Sequence, residues 1–292
     1  MSNSNHWPQQ VGQWGGLACL LEATAPKPGN VHRGADFEDL TYLDFATSAL
    51  AIAPALADAA AGGRLGPCVR EAIGATRRAV GTNTNLGAVL LLVPLAMVPR
   101  QESLRTGVRA ILTRLDPADA QGVYEAIRLA MPGGLGKVDE ADITDPPPSD
   151  LLYAMRLAAE RDLVARQYAN NFAEIFECVL PELQAGVQAL WPLADTIVHT
   201  HLRLLSQHPD SLIARKCGQP IAAQATRGAQ RVLAAGQPGE TAYHEALADL
   251  DFWLRADGHR RNPGTSADLI TAGLFAALRE GIIETPLNFY AS

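Results

Sequence analysis

The chain has 292 residues, 48% of them hydrophobic and 19% charged, and a formal net charge of −7. That mixture fills a large core, so disorder is not expected. The acidic balance excludes a general nucleic-acid binder, which needs a surplus of Lys and Arg, but leaves room for a small anionic ligand held by a few local cations.

Alanine, leucine and arginine recur while β-branched runs are scarce, which favours helix over strand. The pattern predicts a helix over Val11–Ala23, broken by Pro26 and Pro28. Tyr42–Ala61 stops at Gly62-Gly63, Pro67–Val80 at Gly81, and Leu86–Val98 at Pro99. Leu104–Leu115 and Ala118–Ala130 are separated by Asp116-Pro117. Pro132–Asp150, with Gly133, Gly134, Gly136 and a triple proline, reads as a long surface loop, a lid or a sub-boundary. Ser149–Tyr168 is a long helix with Ser149 or Asp150 as N-cap. Phe172–Val179 follows. From Val187 to Leu205, apolar residues recur at three- and four-residue steps along one helical face, which Pro192 either begins or kinks. Ser211–Cys217, Pro220–Ala235, Gly239–Ala256 and Thr265–Arg279 complete the set. With no strand–helix alternation, the expected fold is all-α: a single large multi-helix globular domain.

Cys19, Cys68, Cys178 and Cys217 are far apart and form no C-x-x-C pair, so reduced thiols in a cytoplasmic protein are expected rather than thiolate zinc. Met1–Gln10 lacks the basic and apolar regions of a secretory signal. The most apolar stretch, Leu86–Val98, falls short of the about 20 residues that span a bilayer, so no membrane partner is expected. His199 and His201 are two apart and point away from each other on a helix. Trp7 and Trp14 pack either into the core or onto a partner subunit of a homodimer.

Several loops combine Gly or Pro with polar residues, a composition that turns backbone amides and short side chains onto a ligand. In Glu22–Asp36, Lys27 sits between two prolines that stiffen its backbone and can aim its ammonium at a phosphate; the bland reading is a solvated lysine in a connector. Gly81-Thr-Asn-Thr-Asn-Leu-Gly-Ala88 precedes an apolar helix whose free amides favour anions, although it also suits an N-cap. Met131–Lys137, followed by Asp139, Glu140, Asp142 and Asp145, reads as a mobile lid or a solvated acidic loop. In Gln207–Gly218, Asp210 or Ser211 caps a short helix, and Arg215 with Lys216 forms a partly buried cationic spot. In Arg260–Asp268, Thr265 or Ser266 caps a helix with Asp268 in its first turn. Asp162 and Arg166, four apart in the Ser149–Tyr168 helix, can pair.

Together these stretches resemble the triphosphoribosyl-dephospho-CoA synthases that serve citrate lyase and malonate decarboxylase. The resemblance rests on Glu22 with Pro26-Lys27-Pro28-Gly29, the Gly34–Leu40 stretch, Gly81–Ala88, Asp210–Gly218 and Asn262–Leu269, in order along nearly the whole chain. It implies an all-helical transferase that joins the triphosphoribosyl group of ATP to 3′-dephospho-CoA and releases adenine, with Mg²⁺ accompanying the triphosphate. The site it implies places Lys27, Gly29, Asn83, Thr84, Arg166, Arg215, Lys216 and Asn262 at the nucleotide. By residue type, Asp39, Asp162, Asp210 and Asp268 are candidates for Mg²⁺ ligation, direct or through water, and Glu22 or Asp162 for the general base. The chain departs from the family pattern in two places. Asn85-Leu86 stands where typical members carry His-Lys, and His32 where they carry an acidic residue. Those departures motivate a second reading, a transferase or hydrolase acting on another phosphorylated small molecule, in one-carbon coenzyme biosynthesis of the methanopterin or methanofuran type. A third is a non-catalytic helical nucleotide-binding scaffold.

Overall fold

The computed structural model describes residues 6–132 and 140–290. The described residues hold fourteen α-helices and one π-helical turn, and their sole β feature is an isolated bridge between His32 and Ala35. The all-α expectation holds. The chain divides into two compact units, each assembled from separated segments. The first runs to Leu20 and adds Leu43–Glu160 and Val164–Phe172; the second takes Leu21–Tyr42, Arg161–Leu163 and the residues from Ala173 onward. The described parts of segment 132–150 lie wholly in the first unit.

The first unit holds most of α1 (Trp7–Thr24) with α2 (Tyr42–Ala60), α3 (Leu65–Val80), α4 (Leu86–Ala96), α5 (Leu104–Leu112), α6 (Pro117–Ala130), α7 (Leu151–Ala158) and α8 (Leu163–Asn170). Helix α4 is apolar all round and buried almost throughout, which marks it as a core helix. It packs on α3, α5 and α6. Pro94 lies inside it and has no N–H for the carbonyl four residues back. That carbonyl, on Leu90, instead accepts the buried Tyr168 hydroxyl at 2.6 Å. Helices α3 and α6 meet backbone to backbone at two glycines: a Cβ on Gly122 would fall 2.5 Å from the Gly66 carbonyl carbon. Asp116 and Asp119 form a reciprocal capping box at the start of α6, with Pro117 at its first position. Trp7 and Trp14 pack edge to face at 5.5 Å, with Arg100 over the Trp7 ring. Helix α2 is long and apolar enough to cross a membrane by length and composition alone.

The second unit contains the π-turn Ile175–Val179, α9 (Leu180–Gln188), α10 (Leu193–Gln207), α11 (Ser211–Cys217), α12 (Gln219–Ala235), α13 (Thr241–Arg255) and α14 (Gly264–Arg279). Its core gathers Leu202, Leu205, Ile213, Ala225, Val232 and Leu254 from α10 to α13. Helix α14 is buried along most of its length and packs on α9, the π-turn, α10 and α11.

Several boundaries differ from the sequence expectation. The helix expected over Ser149–Tyr168 is two helices, with Asp150 capping the first and a turn at residues 159–162. The second starts where the Leu163 amide donates to Ser211 Oγ, at 3.2 Å, a partner nearly fifty residues away that local periodicity does not show. Pro192 begins α10 rather than kinking it, and the free amides of Leu193 and Ala194 donate to the Asn288 and Phe289 carbonyls.

The Tyr168→Phe variant should lose about 1–3 kcal/mol of unfolding free energy, because the buried Leu90 carbonyl is left without a donor. Urea denaturation monitored by circular dichroism reads this, and a loss below a few tenths of a kcal/mol would sink the assignment.

Candidate functional site

The second unit draws its polar loops together around buried groups. Lys27, fully buried, lies between Pro26 and Pro28 in the loop that follows α1. Its ammonium lies 2.8 Å from Glu22 Oε1 and also donates to the Glu22 and Ala25 carbonyls. An ammonium has three donors, and all three are used within the loop. Lys27 is therefore neither the solvated lysine nor the phosphate ligand that the sequence suggested. It neutralises Glu22 from inside the fold.

Gly29 follows with φ of +75°, a conformation that glycine adopts without penalty. A Cβ there would fall 2.7 Å from Leu254 Cβ, so the loop lies flush against α13. The Gly29 amide donates to Asp251 Oδ1 at 2.7 Å, and Arg255 donates to both Asp251 oxygens and, at 2.6 Å, to the Asn30 carbonyl. Asn30 Nδ2 in turn reaches Asn262 Oδ1 at 2.6 Å. Phe37 stacks on His259 at 3.9 Å, and Arg33 lies over the Tyr290 ring. The loops at residues 25–37 and 256–263 are thus joined at several points. Asp251, Arg255 and Asn30 were missed by sequence reading; the visible signal was the four-residue spacing of Asp251 and Arg255 on a helix.

Asp210 is fully buried. Its Oδ1 accepts from the Leu212 and Ile213 amides, capping α11, and its Oδ2 accepts from the amide and hydroxyl of Ser266 in the first turn of α14. A carboxylate has about four acceptor positions, and these donors fill them. Burial pushes the Asp210 carboxyl above its ordinary value against the pull of those donors. The expected metal role for Asp210 is corrected to that of a double cap. Helix α14 starts at Gly264, so Asp268 lies beyond its first turn and Thr265 and Ser266 lie inside it. Asp39 is exposed in a turn closed by Phe37 N and the Leu40 carbonyl. Among the described residues no group of three or more His, Cys, Asp or Glu side chains could hold a metal ion, so Asp39, Asp210 and Asp268 are not gathered at one point.

Beside the double cap, Ser211 fixes the start of α8, and the neighbouring Asp162 meets Arg215 at 3.4 Å. Both side chains of this pair remain partly exposed, at 29% and 22%. Lys216 is exposed rather than half-buried, and its carbonyl accepts from Arg260 at 2.9 Å. His201 on α10 is fully buried, with neither ring nitrogen bonded among the described residues; burial, and then the Lys27 charge, push its imidazole down to about 3.

The remaining candidates belong to the first unit. Asn83 Oδ1 accepts from the Leu86 amide, Thr84 donates to Ser48 Oγ at 2.6 Å, and Thr76 donates to Asn85 Oδ1. Asn83 thus does the capping that the loop composition also allowed. Arg166 donates to the Ala159 carbonyl, where α7 ends. Glu140–Asp150 is pinned on α6 and α7 rather than a free lid: Arg128 donates to the Ile143 and Asp145 carbonyls, Tyr124 to the Ala141 carbonyl, and Tyr153 to Glu140. Asp142 is buried there. Lys137, Asp139 and the glycines of that segment lie outside the described residues.

Residues 8–285 match the model of the family described as ATP:dephospho-CoA triphosphoribosyl transferase. A curated relative from Pseudomonas syringae pv. tomato, named 2-(5″-triphosphoribosyl)-3′-dephosphocoenzyme-A synthase, is 28% identical over 266 residues, 86% of this chain and 84% of its own. A solved structure from Archaeoglobus fulgidus, described as a triphosphoribosyl-dephospho-CoA synthase, is 30% identical with a TM-score of 0.63, covering 80% of this chain and 98% of its own.

Lys27→Ala should cost about 3–5 kcal/mol, because it strands the buried Glu22 carboxylate, while Lys27→Met with Glu22→Leu should recover most of that loss. Equal destabilisation of the single and double variants in denaturant titrations would refute a buried, self-contained pair. His201 gives a pH signature. Its folded value lies below the unfolded one, so its contribution is present above about pH 6.5 and is lost as pH falls toward 3. His201→Met should therefore be less destabilised than the parent between pH 7 and pH 5. Parallel stability curves over that range would contradict it.

Proposed function

The chain belongs to the ATP:dephospho-CoA triphosphoribosyl transferase family, and from that premise we propose that it joins the triphosphoribosyl group of ATP to 3′-dephospho-CoA. In this reaction the 2′-hydroxyl oxygen of the dephospho-CoA ribose bonds to C1′ of the ATP ribose. The bond from C1′ to adenine breaks, and adenine departs with the bonding pair and takes up a proton. The hydroxyl proton passes to a base. An oxocarbenium-like ribose is expected at such a carbon, so the protein must hold phosphates, orient the hydroxyl and take its proton.

The observation that carries the reading is the joining of the loop Pro26–Asn30 to the loop at Asn262 by the 2.6 Å amide contact and the Asp251–Arg255 tether. Two of the stretches that resemble the family, more than 200 residues apart in sequence, are thereby parts of one surface. Of the candidate phosphate ligands in this unit, exposed Lys216 and half-buried Arg215 stay accessible, whereas Lys27 is buried. Glu22 and Asp162 were equal candidates for the base. Glu22 Oε1 is paired with Lys27 and its side chain is only 10% exposed, whereas Asp162, paired with Arg215, is 29% exposed. Asp162 is the better-placed base. Mg²⁺ is read as the counter-ion that enters with the triphosphate, held mainly by phosphate oxygens and water; among the described residues no group of three or more His, Cys, Asp or Glu side chains is placed to hold it.

Incubation with ATP, Mg²⁺ and dephospho-CoA should release adenine, measured by chromatography. Asp162→Asn should lower kcat about 10²-fold or more with little change in melting temperature; Glu22→Gln should act mainly on stability. A thermal shift with ATP but no adenine would favour another phosphorylated acceptor or a nucleotide-binding scaffold, and no thermal shift would count against every nucleotide reading.

A further inference from the structure

We propose that His32 is a substrate-binding residue that, as a neutral imidazole, donates its Nε2 proton to a phosphate oxygen of ATP or of the acceptor. The proposal rests on the transferase reading and deepens it. His32 opens a turn closed twice by backbone bonds: its amide donates to the Ala35 carbonyl at 3.1 Å, and the Ala35 amide donates back at 2.9 Å. The same turn brings the Gly34 amide to the imidazole, where it donates to Nδ1 at 3.1 Å. A backbone N–H only donates, so Nδ1 carries the lone pair and the one ring proton of the neutral form sits on Nε2. No residue among those described accepts that proton, and the side chain is half-buried, so a ligand can reach it.

The surroundings decide what kind of ligand. Four charged groups act on the ring: Arg255 from α13 and Lys27 from the loop are cations, and Asp251 from α13 and Asp36 from the same turn are anions. Burial, then Arg255 and Lys27, hold the imidazole below its ordinary value, the two carboxylates acting more weakly. The ring is therefore neutral at neutral pH and offers a single N–H donor, a partner for an anionic oxygen. The two cations are themselves committed, Lys27 to Glu22 and two carbonyls, Arg255 to Asp251 and the Asn30 carbonyl. The His32 Nε2–H has no acceptor among the described residues, and an anionic oxygen of a triphosphate or a diphosphate can pair with it. In this tautomer Nε2 can neither accept the hydroxyl proton nor ligate a metal, so His32 binds and orients substrate rather than acting as base.

The test compares the full chain with His32→Gln, His32→Ala and His32→Glu. Gln places an amide N–H where Nε2 lies, Ala removes the donor, and Glu offers only acceptors. All four are checked for unchanged melting temperature, then for KM toward ATP and toward dephospho-CoA in the adenine-release assay, and for ATP affinity by calorimetry. Expected is a KM about tenfold higher for Ala and higher still for Glu, with kcat little changed and Gln close to the parent. The substrate whose KM moves identifies the phosphate bound. Nitrogen-15 spectra of the histidine ring should show the proton on Nε2. Unchanged KM values for both substrates in His32→Ala, or a proton on Nδ1, would overturn the proposal. Failure of the transferase reading is separate: it is the absence of adenine from the parent. In that case the ATP affinities still decide on His32, supporting the proposal if they fall in the order parent and Gln, then Ala, then Glu, and overturning it if they do not differ or if ATP does not bind.

Discussion

The buried carboxylate of Asp210 is the constraint on which the second unit turns. It accepts from two amides at the start of α11 and from the amide and hydroxyl of Ser266 in α14, so one side chain sets the origin of both helices. Each N-terminus would otherwise carry unpaired donors and an uncompensated dipole. The adjacent Ser211 extends the arrangement to α8 through Leu163, which puts Asp162 beside Arg215. The start of α14 likewise fixes the loop that presents Asn262 to Asn30. A pair of neighbouring residues with short polar side chains thus sets the position of the proposed base, one phosphate ligand and one wall of the site.

Charge is used in the same unit in two different ways. Glu22 and Lys27 are buried together and satisfy each other and the loop carbonyls, which shapes the backbone but leaves little for a ligand. Asp251 and Arg255 lie nearer the surface and spend their remaining capacity on the backbone of Gly29 and Asn30. Polar side chains that fix backbone in this way leave smaller groups, an imidazole N–H or an exposed ammonium, to meet substrate. Support of this kind behind a ligand-contacting group is what holds it in a productive geometry.

Much of the fold was legible in the sequence because helix periodicity and its punctuation are local. The apolar run of α4, the Asp116-Pro117 start of α6 and the Gly81 stop of α3 all read directly. What failed was non-local. The break between α7 and α8 depends on Ser211, and the saturation of Asp210 depends on Ser266, and neither partner is near in sequence. The candidate loops were recognisable by composition, since Gly, Pro, Asn and charged residues rarely cluster without a reason. Their roles were not, because a lysine between prolines looks the same whether it faces water or a buried glutamate. Only burial and partner geometry separate Lys27 from Lys216.

The link between Pro94 and Tyr168 has a consequence for how this sequence can drift. The proline removes one donor from the middle of a buried helix, and the tyrosine hydroxyl returns it from another helix. The two positions are unequal in what they tolerate: losing the hydroxyl strands the Leu90 carbonyl, whereas an N–H restored at position 94 would give that oxygen a second donor, which its two lone pairs can accept.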